Sequence, residues 1–226
     1  MGKRIVVVIT IILFVYMSLP LILDFKPTDE LSYVSEKYVA DGPAEVGAQN
    51  LVTAIIVTYR GLDTLGEVAV LFIATAGIGF ILSRENWKKR KKRESSLILQ
   101  TGTQVLLPLI LMFGIYIFIN GHLTPGGGFQ GGVVIASGIL VYILANPKGK
   151  LNEFIISFTE SISGFGYVLI GALGLILAAG FLDNRIFSLG KFGRLFSAGA
   201  IPIIYSLIGL KVGSELVNIL KYLKND

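Results

Sequence analysis

Leu97-Ile-Leu-Gln-Thr-Gly-Thr-Gln-Val-Leu-Leu-Pro-Leu-Ile-Leu-Met-Phe-Gly-Ile-Tyr-Ile-Phe-Ile119 contains no Asp, Glu, Lys, Arg or His. A helix needs roughly 20 apolar residues to cross the hydrocarbon core of a bilayer, so this run is long enough to span. Five more runs are predominantly apolar: Ile5 to Leu23, about Leu62 to Leu82, Gln130 to Ala145, Ile162 to Leu182 and Leu195 to Leu220. The expected fold class is therefore an all-α membrane protein with about six transmembrane helices. Composition agrees, because the 226 residues are 53% hydrophobic and 15% charged, with a mean hydropathy of +0.73. Soluble domains carry about 25% charge. Short connections leave no room for a large extramembrane catalytic domain. The first run follows Lys3 and Arg4 as a signal peptide would, but it is long for one. Ser18-Leu19-Pro20 leads into Leu21-Ile22-Leu23 without a small-residue cleavage site, so we read it as a span.

Several chemistries are excluded outright. Without cysteine there is no disulfide, thiolate metal site, iron–sulfur cluster or cysteine nucleophile, and a single histidine, His122, argues against a multi-histidine metal or haem site. No metal and no cofactor are expected. The formal charge of +5 does not point to nucleic acid, because the basic residues lie between apolar runs. Thirteen of the 20 Lys and Arg fall at the N-terminal tip, after spans two and four, and in the C-terminal tail. The positive-inside tendency then places both termini in the cytoplasm of a multi-pass cell-membrane protein. The block Lys88-Lys89-Arg90-Lys91-Lys92-Arg93 reads as a topology anchor, with anionic lipid or a partner as the alternative.

The chain divides near Arg93 into a segment 1–93 with two spans and a segment 94–226 with four. Between spans one and two, Pro27-Thr28-Asp29-Glu30 is a helix-start signal, and Leu31, Val34 and Tyr38 recur at helical spacing until Gly42-Pro43. A short amphipathic helix on the outer surface is expected there. The β-branched run Leu51 to Thr58 is too short to span, so it reads as an extended or re-entrant segment packed against protein. There is no inverted repeat of the transporter type.

Ionisable residues inside apolar spans are costly, roughly 2.5–3.5 kcal/mol each at a helix centre, and so point to function. Asp63 and Glu67 lie one helical turn apart, with Arg60 able to reach the same face. Two carboxylates beside one cation can hold a proton or a hard cation. The alternative is a structural ion pair at the helix end. Lys211 and Glu215 are spaced as a second i,i+4 pair, read as a proton relay or, alternatively, as a lysine snorkelling to the cytoplasmic side or a structural pair. Gly209 and Gly213 flank Lys211 as a small-xxx-small pair that invites close helix approach. The loop Gly121-His122-Leu-Thr-Pro-Gly126-Gly127-Gly128-Phe-Gln-Gly131-Gly132 lacks the Lys-Ser/Thr of a phosphate-binding loop, so it reads as a tight turn against a neighbour. His122 within it is a proton carrier or a hydrogen-bonded structural group.

These motifs carry a resemblance. Gly121 to Gly132, with Pro-Gly-Gly-Gly-Phe-Gln-Gly-Gly, and Ile208-Gly209-Leu-Lys211-Val-Gly213 resemble the MnhB/MrpB family, the B subunit of Mrp-type Na+/H+ antiporters. The stretch Asn50 to Glu67 is similar to the C-terminal region of the antiporter's large MrpA protein, which also occurs as the small separate protein MbhE of archaeal membrane-bound hydrogenases. The resemblance implies two fused pieces, an arrangement like that of archaeal hydrogenase and sulfane reductase complexes. It implies a non-catalytic membrane subunit of a sodium- and proton-translocating module whose partners are antiporter-like and small Mrp-type subunits. The parent would be a respiratory complex related to complex I or a free-standing antiporter, and the competing role is a scaffold sealing the interface between modules. Asp63 and Glu67 match the acidic pair of the MrpA tail, while His122, Lys211 and the glycines match MrpB motifs. Ser214-Glu215 departs from that pattern, so Glu215 is an ion-path candidate on its spacing from Lys211 alone.

Overall fold

The computed structural model describes residues 2–23, 30–84 and 94–225, and among them there is no strand. The basic block Lys88 to Arg93 and the signal Pro27-Thr28-Asp29 lie outside the described residues. The protein is an all-α membrane protein, and six of its helices are long and apolar enough to cross a bilayer.

Residues 1–36 and 37–226 form separate compact units. In the first, α1 (Gly2–Leu23) is apolar around its whole circumference and buries none of its hydrophobic window. A helix of that kind takes lipid or another protein as its surroundings. Pro20 sits within its last turn. The helix α2 (Tyr33–Val46) begins where Ser32 Oγ accepts from Ser35 N at 3.3 Å. It runs straight through Gly42-Pro43, which we expected to stop it; Gly42 there packs under Leu51 and Tyr59, and the helix ends only at Gly47, in a left-handed conformation.

The segment read as extended or re-entrant is helical, which rules out the extended form. A single turn, α3 (Leu51–Thr53), capped by Asn50, passes into a π-helical turn over Ala54–Tyr59 that ends with Arg60 N bonding Ile55 O at 2.8 Å. The wide turn displaces backbone carbonyls, and the Thr64 hydroxyl satisfies one of them, donating to Ile56 O at 2.9 Å. In a membrane the β-branched residues gain nothing from an unpaired strand, whereas a helical turn pairs its own backbone.

The remaining helices are α4 (Gly61–Arg84), α5 (Leu97–Ile119), α6 (Gly128–Ala145), α7 (Glu153–Leu177) and α8 (Ile201–Asn225). Of the six spans, α8 is the centre: 56% of its apolar window is buried, against 17–39% for α4 to α7, and α4, α5, α6 and α7 all pack on it. Facing residues fix the directions. Phe72 meets Lys211 and Gly79 meets Tyr222, so α4 runs parallel to α8; Gly128 meets Ile208 and Gly132 meets Val212, so α6 does too. Glu153 meets Lys221 and Gly166 meets Leu207, so α7 is antiparallel. That alternation is what consecutive membrane crossings require.

Spans five and six differ most from the sequence reading. Span five is Glu153–Leu177 and not Ile162 to Leu182, and span six is Ile201–Asn225 and not Leu195 to Leu220. Residues 178–200 form an irregular loop with a short 3₁₀ turn, Asn184–Ile186. Asn184 ties it down, donating to Val46 O at 2.8 Å and Ala198 O at 3.0 Å. Gly199 (φ +58°) has no room for a side chain, since a Cβ would lie 2.1 Å from Asn184 O.

Candidate functional site

Along α8 the residues Ile201, Ile204, Ile208, Val212 and Val217 are buried and apolar, and two charged residues interrupt them. Lys211 Nζ lies 2.6 Å from Glu215 Oε1, one turn along the same helix. The antiparallel α7 brings Glu160 to the other side of the ammonium, 3.2 Å from Nζ. Asn218 Nδ2 donates to the second Glu160 oxygen at 2.6 Å, and the Phe72 ring of α4 covers the ammonium at 4.7 Å. The side chains of Lys211, Glu160 and Glu215 are 10%, 18% and 1% exposed. Lys211 is thus held between two carboxylates inside the bundle and does not extend towards a rim.

Three spans therefore enclose a cluster of two carboxylates and one ammonium. Desolvating such charges is expensive, and pairing returns only part of that cost, so a wholly structural purpose has a cheaper hydrophobic substitute. Beside the cluster, α4 and α7 both lean on α8 and leave an open cleft of about 220 Å³. Val68, Ala69 and Phe72 wall it on one side, Gly164 and Tyr167 on the other, and Lys211 reaches it from α8.

Asp63 and Glu67 are both exposed on α4. Asp63 is taken up by Arg60, whose Nε donates to Oδ2 at 2.7 Å, an exposed pair at the helix start. Exposed pairs of this kind contribute little stability. Glu67 makes no ion pair among the described residues, although it lies near enough to act electrostatically on Tyr167, whose hydroxyl donates to Gly61 O at 3.4 Å. The structure does not bring Asp63 into the Lys211 cluster.

His122 is fully buried. Its Nε2 donates to Arg194 O at 3.3 Å, and Nδ1 has no hydrogen-bond partner. Burial disfavours the imidazolium and holds its pKa below the ordinary value, although nearby backbone carbonyls pull the other way. The turn around it is gripped from the first half of the chain. Asn50 Nδ2 donates to Gly121 O at 2.9 Å and Thr124 O at 3.0 Å, Asn50 N to His122 O at 3.0 Å, and Thr53 Oγ1 to Gly121 O at 2.6 Å. Gly126 and Gly127 pass over Ile117 and Tyr205, and Gly128 lies on Ile208. Gly131 faces Gly114, while Gly132 faces Gly209 and Gly213. A Cβ on Gly132 would sit 2.7 Å from Gly209 O, so here the two helices touch backbone to backbone.

In the loop 178–200 Asp183 accepts from Arg185, whose guanidinium holds its carboxyl down at about 2.

The sequence reading missed Glu160, Asn218 and Phe72. Glu160 lies in Phe158-Thr-Glu-Ser-Ile-Ser163, polar enough to look like the approach to a span. The signal that extends the helix is Asn152-Glu153: Asn152 Oδ1 caps Phe154 N and Ile155 N at 3.1 and 3.3 Å.

Comparison with known proteins adds the family. Residues 98–218 match the model described as a domain related to the MnhB subunit of Na+/H+ antiporter, and residues 3–97 match that of MbhE, the E subunit of MBH. The B subunit of the Na+/H+ antiporter of Bacillus subtilis is 33% identical over 39% of this chain and 56% of its own length. An uncharacterized protein of Methanocaldococcus jannaschii is 28% identical over 72% of each chain. Among solved structures, a chain of the membrane-bound sulfane sulfur reductase, an archaeal respiratory membrane complex, superposes with a TM-score of 0.84 at 41% identity, covering 99% of this chain and 98% of that one. A chain of the Mrp complex from Dietzia shares the fold, with a TM-score of 0.77 at 23% identity; this chain spans 26% of it. With its model matched over more than half of the chain, the protein belongs to the family of domains related to the MnhB subunit of Na+/H+ antiporters.

Proposed function

We propose that the chain is a non-catalytic subunit of an Mrp-type sodium- and proton-translocating module within a multi-subunit complex of the cell membrane. Its segments 1–93 and 94–226 are a fused MbhE-like and MnhB-like pair, with both termini cytoplasmic. The observation that carries this reading is the ammonium of Lys211 shared by Glu160 and Glu215 inside an MnhB-family bundle. Ionisable groups at membrane depth are costly and commonly mark ion routes. Similarity over 99% of the chain to a component of a respiratory membrane complex supports the sulfane reductase type as parent. Glu67, exposed and without an ion pair among the described residues, stands where an ion enters from a neighbouring subunit; Lys211 and Glu215 lie further along, and His122 borders the rim.

The experiment is Glu67→Gln in the intact complex. Sodium-dependent proton movement in vesicles is expected to be lost while the subunits still co-purify. The second reading, a scaffold that seals the interface between modules, is favoured by the backbone contact of Gly132 with Gly209. It expects the Glu67→Gln complex to transport normally, and that result would replace the first reading.

A further inference from the structure

Glu160, Lys211 and Glu215 have one more carboxylate than cation, so with every group ionised the cluster carries a net negative charge that no other described side chain cancels. From α4 it is faced by Phe72 and Thr75, neither of which carries charge. The helices α5 and α6 contain no Asp, Glu, Lys, Arg or His. From α7 comes Glu160, and α8 itself adds Lys211 and the amide of Asn218.

The two carboxylates are not equivalent. Glu160 is partly exposed, and both its oxygens accept hydrogen bonds, from Lys211 and Asn218. Glu215 is 1% exposed; Lys211 lies beside its Oε1, and its Oε2 is buried with no hydrogen-bond partner. The hydroxyl of Thr75, which faces Glu215, gives its own proton to Leu71 O at 3.0 Å. With that hydroxyl committed to Leu71 O and Lys211 beside the other oxygen, Oε2 is left buried without a hydrogen bond, a cost to a bare carboxylate oxygen that protonation relieves.

We propose that Glu215 is a proton-binding site that exchanges a single proton with Glu160 through Lys211. The proposal deepens the ion-translocation reading and rests on it for its purpose. A proton arrives on Glu160, the more exposed acid. Lys211 Nζ gives one of its protons to Glu215, forming the O–H bond there, and takes the proton from Glu160, whose O–H bond breaks. Lys211 ends as the ammonium it began as, Glu215 as a neutral acid and Glu160 as a carboxylate. Nothing is oxidised or reduced.

Infrared difference spectroscopy on the purified complex, recorded between acidic and alkaline buffer, tests this directly. The wild-type complex should show the C=O stretch of a protonated carboxyl, sensitive to deuterium exchange, and Glu215→Gln should lack it. Glu160→Gln, which cancels the excess charge, should move its midpoint to lower pH. Lys211→Met, which enlarges the excess, should move the midpoint to higher pH. If Glu215→Gln does not assemble, those opposite shifts still decide. A band unchanged in Glu215→Gln, a midpoint common to all variants or no band at any pH overturns the proposal. So does a band removed by sodium at fixed pH, which would assign a metal cation to the site. The band does not depend on transport: a normal Glu67→Gln complex sinks the route through α4 and leaves the proton site standing.

Discussion

The two flanks of α8 solve the same packing problem in opposite ways. Towards α5 and α6 the helix presents Gly209 and Gly213, and its backbone touches Gly132 and the ring of Phe118. Towards α4 and α7 it presents Lys211 and Glu215, and a cleft remains open beside them. Lipid tails are as apolar as leucine, so helices gain little from burying leucine against one another. Close backbone contact supplies the cohesion on the first flank and leaves nothing to titrate. The second flank gives up that cohesion for buried, paired charges beside the cleft. A single helix thus anchors the bundle with one face and carries charge on the other.

The largest effect expected is on the tight flank. Gly209→Leu would drive a side chain into Phe118, whose ring carbon lies 2.4 Å from where a Cβ would stand. Overpacking of this kind costs about 1–3 kcal/mol or more. The assembled complex should fall in yield and in melting temperature, and normal assembly would show that the seam between α5 and α8 can yield.

In neutral buffer a smaller loss follows from Lys211→Met on the open flank. Removing one partner of a buried ion pair costs roughly 3–5 kcal/mol when the other charge is stranded, but a carboxyl that takes up a proton escapes most of that. The loss should therefore grow from neutral to alkaline buffer, and thermal unfolding at two pH values measures it. A penalty independent of pH would mean that Lys211 is simply a packing residue.

The smallest effect separates the flanks most cleanly. Gly164 of α7 faces the stem of Lys211 at 3.5 Å, an ordinary contact. Gly164→Ala should leave stability within about 0.5 kcal/mol of wild type. A strong loss would make the cleft as tightly packed as the seam and erase the contrast.

How far the sequence could be read depended on which force dominates locally. The span Leu97 to Ile119 emerges with the bounds read from hydropathy, because Ser96 caps one end, Asn120 terminates the other and no charged residue lies between them. Hydropathy failed where apolar residues serve a loop: Leu195 and Phe196 lie before α8, in a segment shaped by the left-handed backbone of Ala198 and Gly199 and the amide of Asn184. It failed in the opposite sense at Glu160, a polar residue well inside a helix. The pairing of Lys211 with Glu215 was legible because four residues make one turn. Glu160 was not, because its place beside Lys211 follows from the register of α7 on α8, which no local pattern encodes.

The grip of Asn50 and Thr53 on the glycine turn has a consequence for how such a chain is assembled. Each of those bonds ends on a main-chain carbonyl, of Gly121, His122 or Thr124. The receiving loop is recognised by the path of its backbone, and substitutions along it leave the docking intact so long as that path is kept. Two polypeptides that meet in this manner can diverge freely in side chains and still dock, and joining them end to end fixes their ratio at one to one without asking either to change its surface.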